Sequence, residues 1–277
     1  MAEPRAPLLL RVWRLDSRFL NGWIASLFMI GAALFALGCV LYLLGSEDAF
    51  VLDSIFFIGS IFFTAAAFSQ LHQVLGGEAG STKTRREIIR RACNRQSIDV
   101  PLMSAFSQFV GTLMFNINTF DAFFELQWFA QELLVWTPNI MGSLLFQLSG
   151  SLALYEVTGR WWSWPVIGCY QGLRDQDIKG WINSINFIGC VAFLVSALLA
   201  LFASFLVAAW AVSGSVIFTL LGAGCFFLGA LLMWPQLQSL LGYSVLPPFM
   251  GQVSGSHPLK ALAPDYLPPV SLPAQNS

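Results

Sequence analysis

The side chains able to do chemistry in this chain are amides, cysteines and two histidines. His72 lies at the end of an apolar run and His257 in a proline-rich stretch. Neither has an evident Asp, Glu, Ser or Cys partner with which to act as a general base. The five cysteines, Cys39, Cys93, Cys169, Cys190 and Cys225, include no CxxC pair. They therefore point to neither a metal site nor a disulfide framework, and the three in apolar runs read as small buried hydrophobes. No Walker motif, HExxH, GxSxG or dinucleotide fingerprint occurs. The chain reads as non-enzymatic, with no catalytic residue, no cofactor and no metal.

The amides are more informative. Gln108, Asn116, Asn118, Gln147, Asn183 and Asn186 all fall inside apolar runs. An amide in hydrocarbon needs a hydrogen-bond partner, because leaving it unpaired costs several kcal/mol. Two arrangements meet that need: a water-filled polar cavity, or a second side chain across a dry helix contact. The first would suit a small neutral solute; the second is structural.

The elements that position these amides follow from composition. The chain has 277 residues, 56% hydrophobic and only 10% charged, with a mean hydropathy of +0.68. A soluble domain carries roughly 25% charged residues, so lipid is the expected solvent. The net charge of −1 gives no reason to expect nucleic acid. A spanning helix needs about 20 mostly apolar residues. Such runs occur at Trp23–Leu44, Ser54–Leu71, Pro101–Phe120 and Thr137–Tyr155. Thr137-Pro138 reads as an N-cap followed by proline at the first helical position. Between Lys179 and Lys260 no charged residue occurs, and that stretch must fold back. Ser213-Gly214-Ser215 is the predicted turn, giving Trp181–Ala209 and Val216–Trp234, with Pro235 ending the last helix. The predicted fold is an all-α membrane protein of six transmembrane helices. The first apolar run is too long for a signal-peptide core, so no cleaved leader is expected.

Charge sets the expected topology. Arg5, Arg11, Arg14 and Arg18 precede the first span. Lys83, Arg85, Arg86, Arg90, Arg91 and Arg95 lie between the second and third, and Arg160, Arg174 and Lys179 between the fourth and fifth. Only Lys260, in the tail, is left of the 14 basic residues. The opposite loops carry Glu47, Asp48, Asp53, Asp121, Glu125 and Glu132 instead. Basic loops stay in the cytoplasm. Both termini are thus predicted on the cytoplasmic side of a cell membrane of bacterial inner-membrane type. Residues 1–22 form a basic N-terminal segment, 74–100 a basic loop, 158–180 a tryptophan-rich loop and 236–277 a proline-rich, disordered tail. Lys83, Arg85, Arg86, Arg90, Arg91 and Arg95 suit contact with anionic lipid headgroups on the cytoplasmic side. Trp161, Trp162 and Trp164 read as an inner aromatic belt, and Asp121–Trp136 as an outer interfacial segment. Protein partners and oligomeric state are not encoded in any recognisable pattern.

Each span carries Gly, then Phe four residues on, then a small or short polar residue three further. The six instances are Gly31/Phe35/Gly38, Gly59/Phe63/Ala66, Gly111/Phe115/Asn118, Gly142/Phe146/Ser149, Gly189/Phe193/Ser196 and Gly222/Phe226/Gly229. Alternate instances recur at intervals of about 80 residues, the signature of an internal repeat. The repeats are hairpins over 23–73, 101–157 and 181–235, all in one membrane orientation and related by rotation about the membrane normal. The spacing i, i+4, i+7 puts each triplet on one helix face, where small residues let backbones approach closely. We read it as a packing seam. Three positions before each glycine stand Phe28, Phe56, Gln108, Asn139, Asn186 and Thr219, so Gln108, Asn118 and Asn186 share the seam face.

The paired spans reading Gly-Ser-x-x-Phe, as in Ile58-Gly59-Ser60-Ile61-Phe62-Phe63 and Met141-Gly142-Ser143-Leu144-Leu145-Phe146, resemble the YrhK-like domain, a small bacterial membrane hairpin. The resemblance covers most of residues 23–235 and implies a tandem array of such hairpins. It implies no activity, cofactor or catalytic residue. Mitochondrial carriers also have three two-helix repeats, but their charged Pro-x-Asp/Glu-x-x-Lys/Arg signature is absent.

No charged residue sits in the middle of a span, which speaks against an ion-coupled pump. The favoured reading is a membrane bundle with a structural or accessory role. The alternative is a facilitator for a small neutral solute along Gln108, Asn118 and Asn186. The third is an enzyme acting on lipid, which lacks a catalytic constellation. The seam glycines and phenylalanines favour a dry, closed axis.

Overall fold

The computed structural model describes residues 17–46, 48–76, 100–124, 132–159, 178–206 and 209–234. They form six long helices: α1 (Ser17–Leu43), α2 (Ala49–Gly76), α3 (Val100–Asp121), α4 (Thr137–Thr158), α5 (Ile178–Leu206) and α6 (Ala209–Met233). No strand occurs among the described residues. The shortest, at 22 residues, extends about 33 Å at 1.5 Å per residue, enough for a hydrocarbon core of about 30 Å. All six are long and apolar enough to cross a membrane. Large apolar side chains such as Ile30, Ile58, Phe106, Leu144, Ile188 and Leu228 point outward and are exposed, a surface that only lipid tolerates. The protein is a multi-pass membrane protein.

Five of the six helices start before the apolar stretches read from the sequence, because a helix is not confined to the hydrocarbon. Thus α2 starts at Ala49 rather than Ser54, with Asp48 as its cap: the Asp48 carboxylate accepts a hydrogen bond from the Val51 N–H at 3.1 Å. Helix α1 ends on Gly45, whose φ of 88° is left-handed, while the Ser46 N–H reaches the Leu41 carbonyl at 3.0 Å. That 6→1 bond closes the helix end and lets glycine take the conformation other residues avoid.

Two local expectations are overturned. Ser213-Gly214-Ser215 is not a turn but lies inside α6, and α5 and α6 are separated only by residues 207–208. Gly214 and Ser215 pack α6 against α5 instead, while Ser213 is exposed. The Ser196 hydroxyl donates to the Ser215 carbonyl at 2.8 Å. A Cβ on Gly214 would meet Leu199 Cδ1 at 3.2 Å. Thr137 is likewise no N-cap. The backbone is already helical at Trp136, which ends a π-helical turn over Glu132–Trp136, and no side chain caps α4. Pro138 does sit in the first turn. The upstream π turn carries the chain into α4, so no separate cap is required there.

Each helix packs on its neighbours in sequence, and α6 packs back on α1. The result is a closed ring in the order α1 to α6, with antiparallel neighbours. The loops over 77–99 and 160–177 lie outside the described residues, as do Lys83, Arg85, Arg86, Arg90, Arg91, Arg95, the Trp161–Trp164 cluster and the tail.

Candidate functional site: a phenylalanine layer and a polar cavity on the ring axis

In all three hairpins the two seam glycines face each other. A Cβ on Gly31 would lie 3.0 Å from the Gly59 carbonyl oxygen; on Gly111, 3.1 Å from that of Gly142; on Gly222, 3.2 Å from that of Gly189. Each glycine also seats the partner's phenylalanine. Gly31 faces Phe63, Gly59 faces Phe35, Gly111 faces Phe146, Gly142 faces Phe115, Gly189 faces Phe226 and Gly222 faces Phe193. The absence of side chains at these positions is what admits the rings, since the space a Cβ would occupy is already taken.

In three of the six seams the third position meets the residue three before the partner's glycine. Gly38 lies against Phe56, and Gly229 directly against the Asn186 amide. Ser196 Oγ is 2.6 Å from Thr219 Oγ1. Ala66 and Ser149 are buried, whereas Asn118 is half-buried.

The six phenylalanines meet on the axis. Phe35, Phe63, Phe115, Phe146, Phe193 and Phe226 are each at most 8% exposed. Their rings form one connected set with centroid separations from 5.1 Å (Phe115–Phe146) to 6.4 Å (Phe146–Phe193). Several pairs are edge-on, the geometry the ring quadrupole favours. The rings fill the axis at this level, crossing α2, α4 and α5 near their middles and α1, α3 and α6 in their second halves.

On one side of this layer the axis widens into a cavity of about 60 Å³. Side chains from all six helices line it: Phe28 from α1, Gln70 from α2, Ser104 and Gln108 from α3, Ser149 and Glu156 from α4, Asn183, Asn186 and Cys190 from α5, and Phe226 and Met233 from α6. These belong to the early turns of α1, α3 and α5 and the late turns of α2, α4 and α6. The cavity therefore occupies the half of the ring that carries the basic loops. Part of its wall is satisfied internally. Ser104 Oγ donates to the Ser149 carbonyl at 3.0 Å, and Asn183 Nδ2 donates to the Ala153 carbonyl at 3.2 Å. Gln70 Oε1 and Asn186 Oδ1 are buried without a hydrogen-bond partner.

The predicted amides thus divide. Gln108, Asn183 and Asn186 share the cavity. Asn118 does not reach it: it lies three residues beyond Phe115, on the far side of the aromatic layer. Asn116 Nδ2 donates to Thr64 Oγ1 at 2.9 Å, tying α3 to α2, and Gln147 Oε1 is buried without a partner away from the cavity. Sequence reasoning missed Gln70, Ser104 and Glu156. Gln70 lies 11 residues after Gly59 and Ser104 seven before Gly111, so both continue the seam face, and extending the seam by one or two turns would have found them. Glu156, at the end of α4, follows no such rule. Among the described residues no group of His, Cys, Asp and Glu is placed to hold a metal ion.

Compared with known proteins, the chain matches no family model, no curated protein and no solved structure, so the resemblance to YrhK-like hairpins rests on the quoted motifs alone.

Proposed function

We propose that the protein is a closed helical bundle of the cell membrane with a structural or accessory role and no catalytic step, assembled from three tandem hairpins of one kind. The observation that carries this reading is the six-phenylalanine layer. A continuous polar path along the axis is what a facilitator needs, and the axis is filled with rings at most 8% exposed. The recurrence of the same glycine–phenylalanine seating in each hairpin supports the tandem origin. The asymmetry of basic residues supports cytoplasmic termini, and the loop over 83–95 supports contact with anionic headgroups.

The facilitator reading retains one favouring observation: Gln108 and Asn186 line a common cavity. It requires the aromatic layer to part, because Asn118 is on the other side. In a cysteine-free background, Gln108→Cys should react with an impermeant thiol reagent from the basic-loop side. Asn118→Cys should stay unmodified from that side. Modification of Asn118→Cys from the basic-loop side would show that the layer opens and would favour the facilitator.

A further inference from the structure

Three amides, Gln70, Gln108 and Asn186, line the cavity from α2, α3 and α5. Each stands two residues from a side chain exposed on the outer surface: Phe68, Phe106 and Ile188. Residues two apart on a helix point about 200° apart, so the three amides are directed at the axis. Two of their oxygens are sealed off. Gln70 Oε1 is buried without a partner, and Asn186 Oδ1 is packed on Gly229. The NH2 groups are therefore the ends these two turn to the cavity. Gln108 has neither end sealed and no hydrogen bond to a described residue, so it offers a donor and an acceptor side by side. Phe28, Phe146 and Phe226 add aromatic surface to the wall.

Charge narrows the occupant. No Lys, Arg or His lines the cavity among the described residues, and Glu156, which does, already has an interaction of its own. The wall thus holds no unengaged charge to match an ion. Its amides present donors from three helices and an acceptor at Gln108. The complement is an uncharged group that both accepts and donates, with a small apolar body to lie on the rings. A primary carboxamide is that group, and it pairs reciprocally with the open Gln108 amide, N–H to O=C on both sides. A cavity of about 60 Å³ is room for about four water molecules by the same measure, which limits the occupant to a few heavy atoms.

We propose that this cavity is a binding site for small uncharged carboxamides of about the size of acetamide. The ligand carbonyl accepts from the NH2 groups of the wall, its own NH2 donates to Gln108 Oε1, and its methyl group rests on the phenylalanines. This goes beyond the bundle reading and is independent of it, since a closed axis can bind without conducting.

The test uses the full chain purified in detergent, at fixed pH and ionic strength. Its unfolding midpoint is followed against acetamide and against three probes of the same size: acetone, which accepts but cannot donate, and the ions acetate and ethylammonium. Gln108→Leu, measured alongside, removes any general effect of the solute on the solvent. The expected result is a saturable rise in midpoint with acetamide alone, and binding about tenfold weaker or more in Gln108→Leu. Gln70→Leu keeps the comparison available should Gln108→Leu fail to fold, and Gly224→Ala should retain the full response. An equal response to acetone would mean that the wall does not read the ligand's N–H groups. An equal response to acetate or ethylammonium would make the site one for ions, and a response unchanged in Gln108→Leu and Gln70→Leu would place binding elsewhere. No saturable response would mean that water alone fills the cavity. Each of these overturns the proposal.

Discussion

Gly111 and Gly142 hold each other's place: a Cβ on the first would come within 3.1 Å of the carbonyl oxygen of the second, and a Cβ on the second within 3.0 Å of that of the first. The contact is backbone against backbone, so no side chain can swing aside to relieve it. Gly111→Ala should therefore destabilise the bundle by about 1–3 kcal/mol, the usual range for overpacking. Gly224 in α6 is the control, having nothing within 4 Å of the added methyl. Gly224→Ala should be neutral or stabilising by up to about 1 kcal/mol through helix propensity. Denaturant unfolding in mixed micelles checks both, and equal stability of the two variants would mean that the seam is not tightly packed.

Phe193 is the most connected ring of the axial layer, with Phe35, Phe115, Phe146 and Phe226 at 6.2, 6.1, 6.4 and 5.6 Å. Phe193→Ala should cost about 3–5 kcal/mol, as other buried phenylalanine truncations do, and Phe193→Leu distinctly less. The same unfolding assay measures both. A loss below about 1 kcal/mol for the alanine variant, well short of that range, would show the layer to be loosely packed.

The contact between Ser196 and Thr219, at 2.6 Å, should matter less than the glycines. Hydrogen bonds between membrane helices average about 0.6 kcal/mol, so Ser196→Ala should fall near that value. The Ser215 carbonyl, which accepts from Ser196, also accepts from Thr219 at 3.0 Å, so it keeps a partner in the variant. A loss of several kcal/mol would instead assign this cluster a central packing role.

Much of the fold was legible because lipid simplifies the code. Apolar length marks the six helices, and the phase of Gly31/Phe35/Gly38 and its five counterparts marks the faces that meet. The closing contact of α6 on α1 was not legible, since no residue pattern says which hairpin edges join. The α5–α6 turn was misplaced because Ser213, Gly214 and Ser215 look alike whether they break a helix or pack one. Only the observed bonds of Ser215 distinguish the two. Three of the six amides read from the sequence, Gln108, Asn183 and Asn186, do line the cavity. Asn118 was grouped with them because a helix face says nothing about what lies between two residues on it, and here the aromatic layer does.

The charge asymmetry carries an orientation that labelling can check. In a cysteine-free background, Asp48→Cys and Glu125→Cys should react with an impermeant reagent only from outside. Arg86→Cys and Arg174→Cys should react only from inside, because basic loops resist translocation. Labelling of position 86 from the outer side would reverse the proposed topology.

The closed axis is tested most directly by solute flux into liposomes containing the purified protein, across a panel of small neutral and cationic solutes. The account expects no flux above that of empty liposomes, with Phe193→Ala as the variant in which a leak through the thinned aromatic layer should first be seen. Flux through the unaltered protein that disappears when Gln108 and Asn186 are changed to leucine, with the fold retained, would contradict it and establish a conduit.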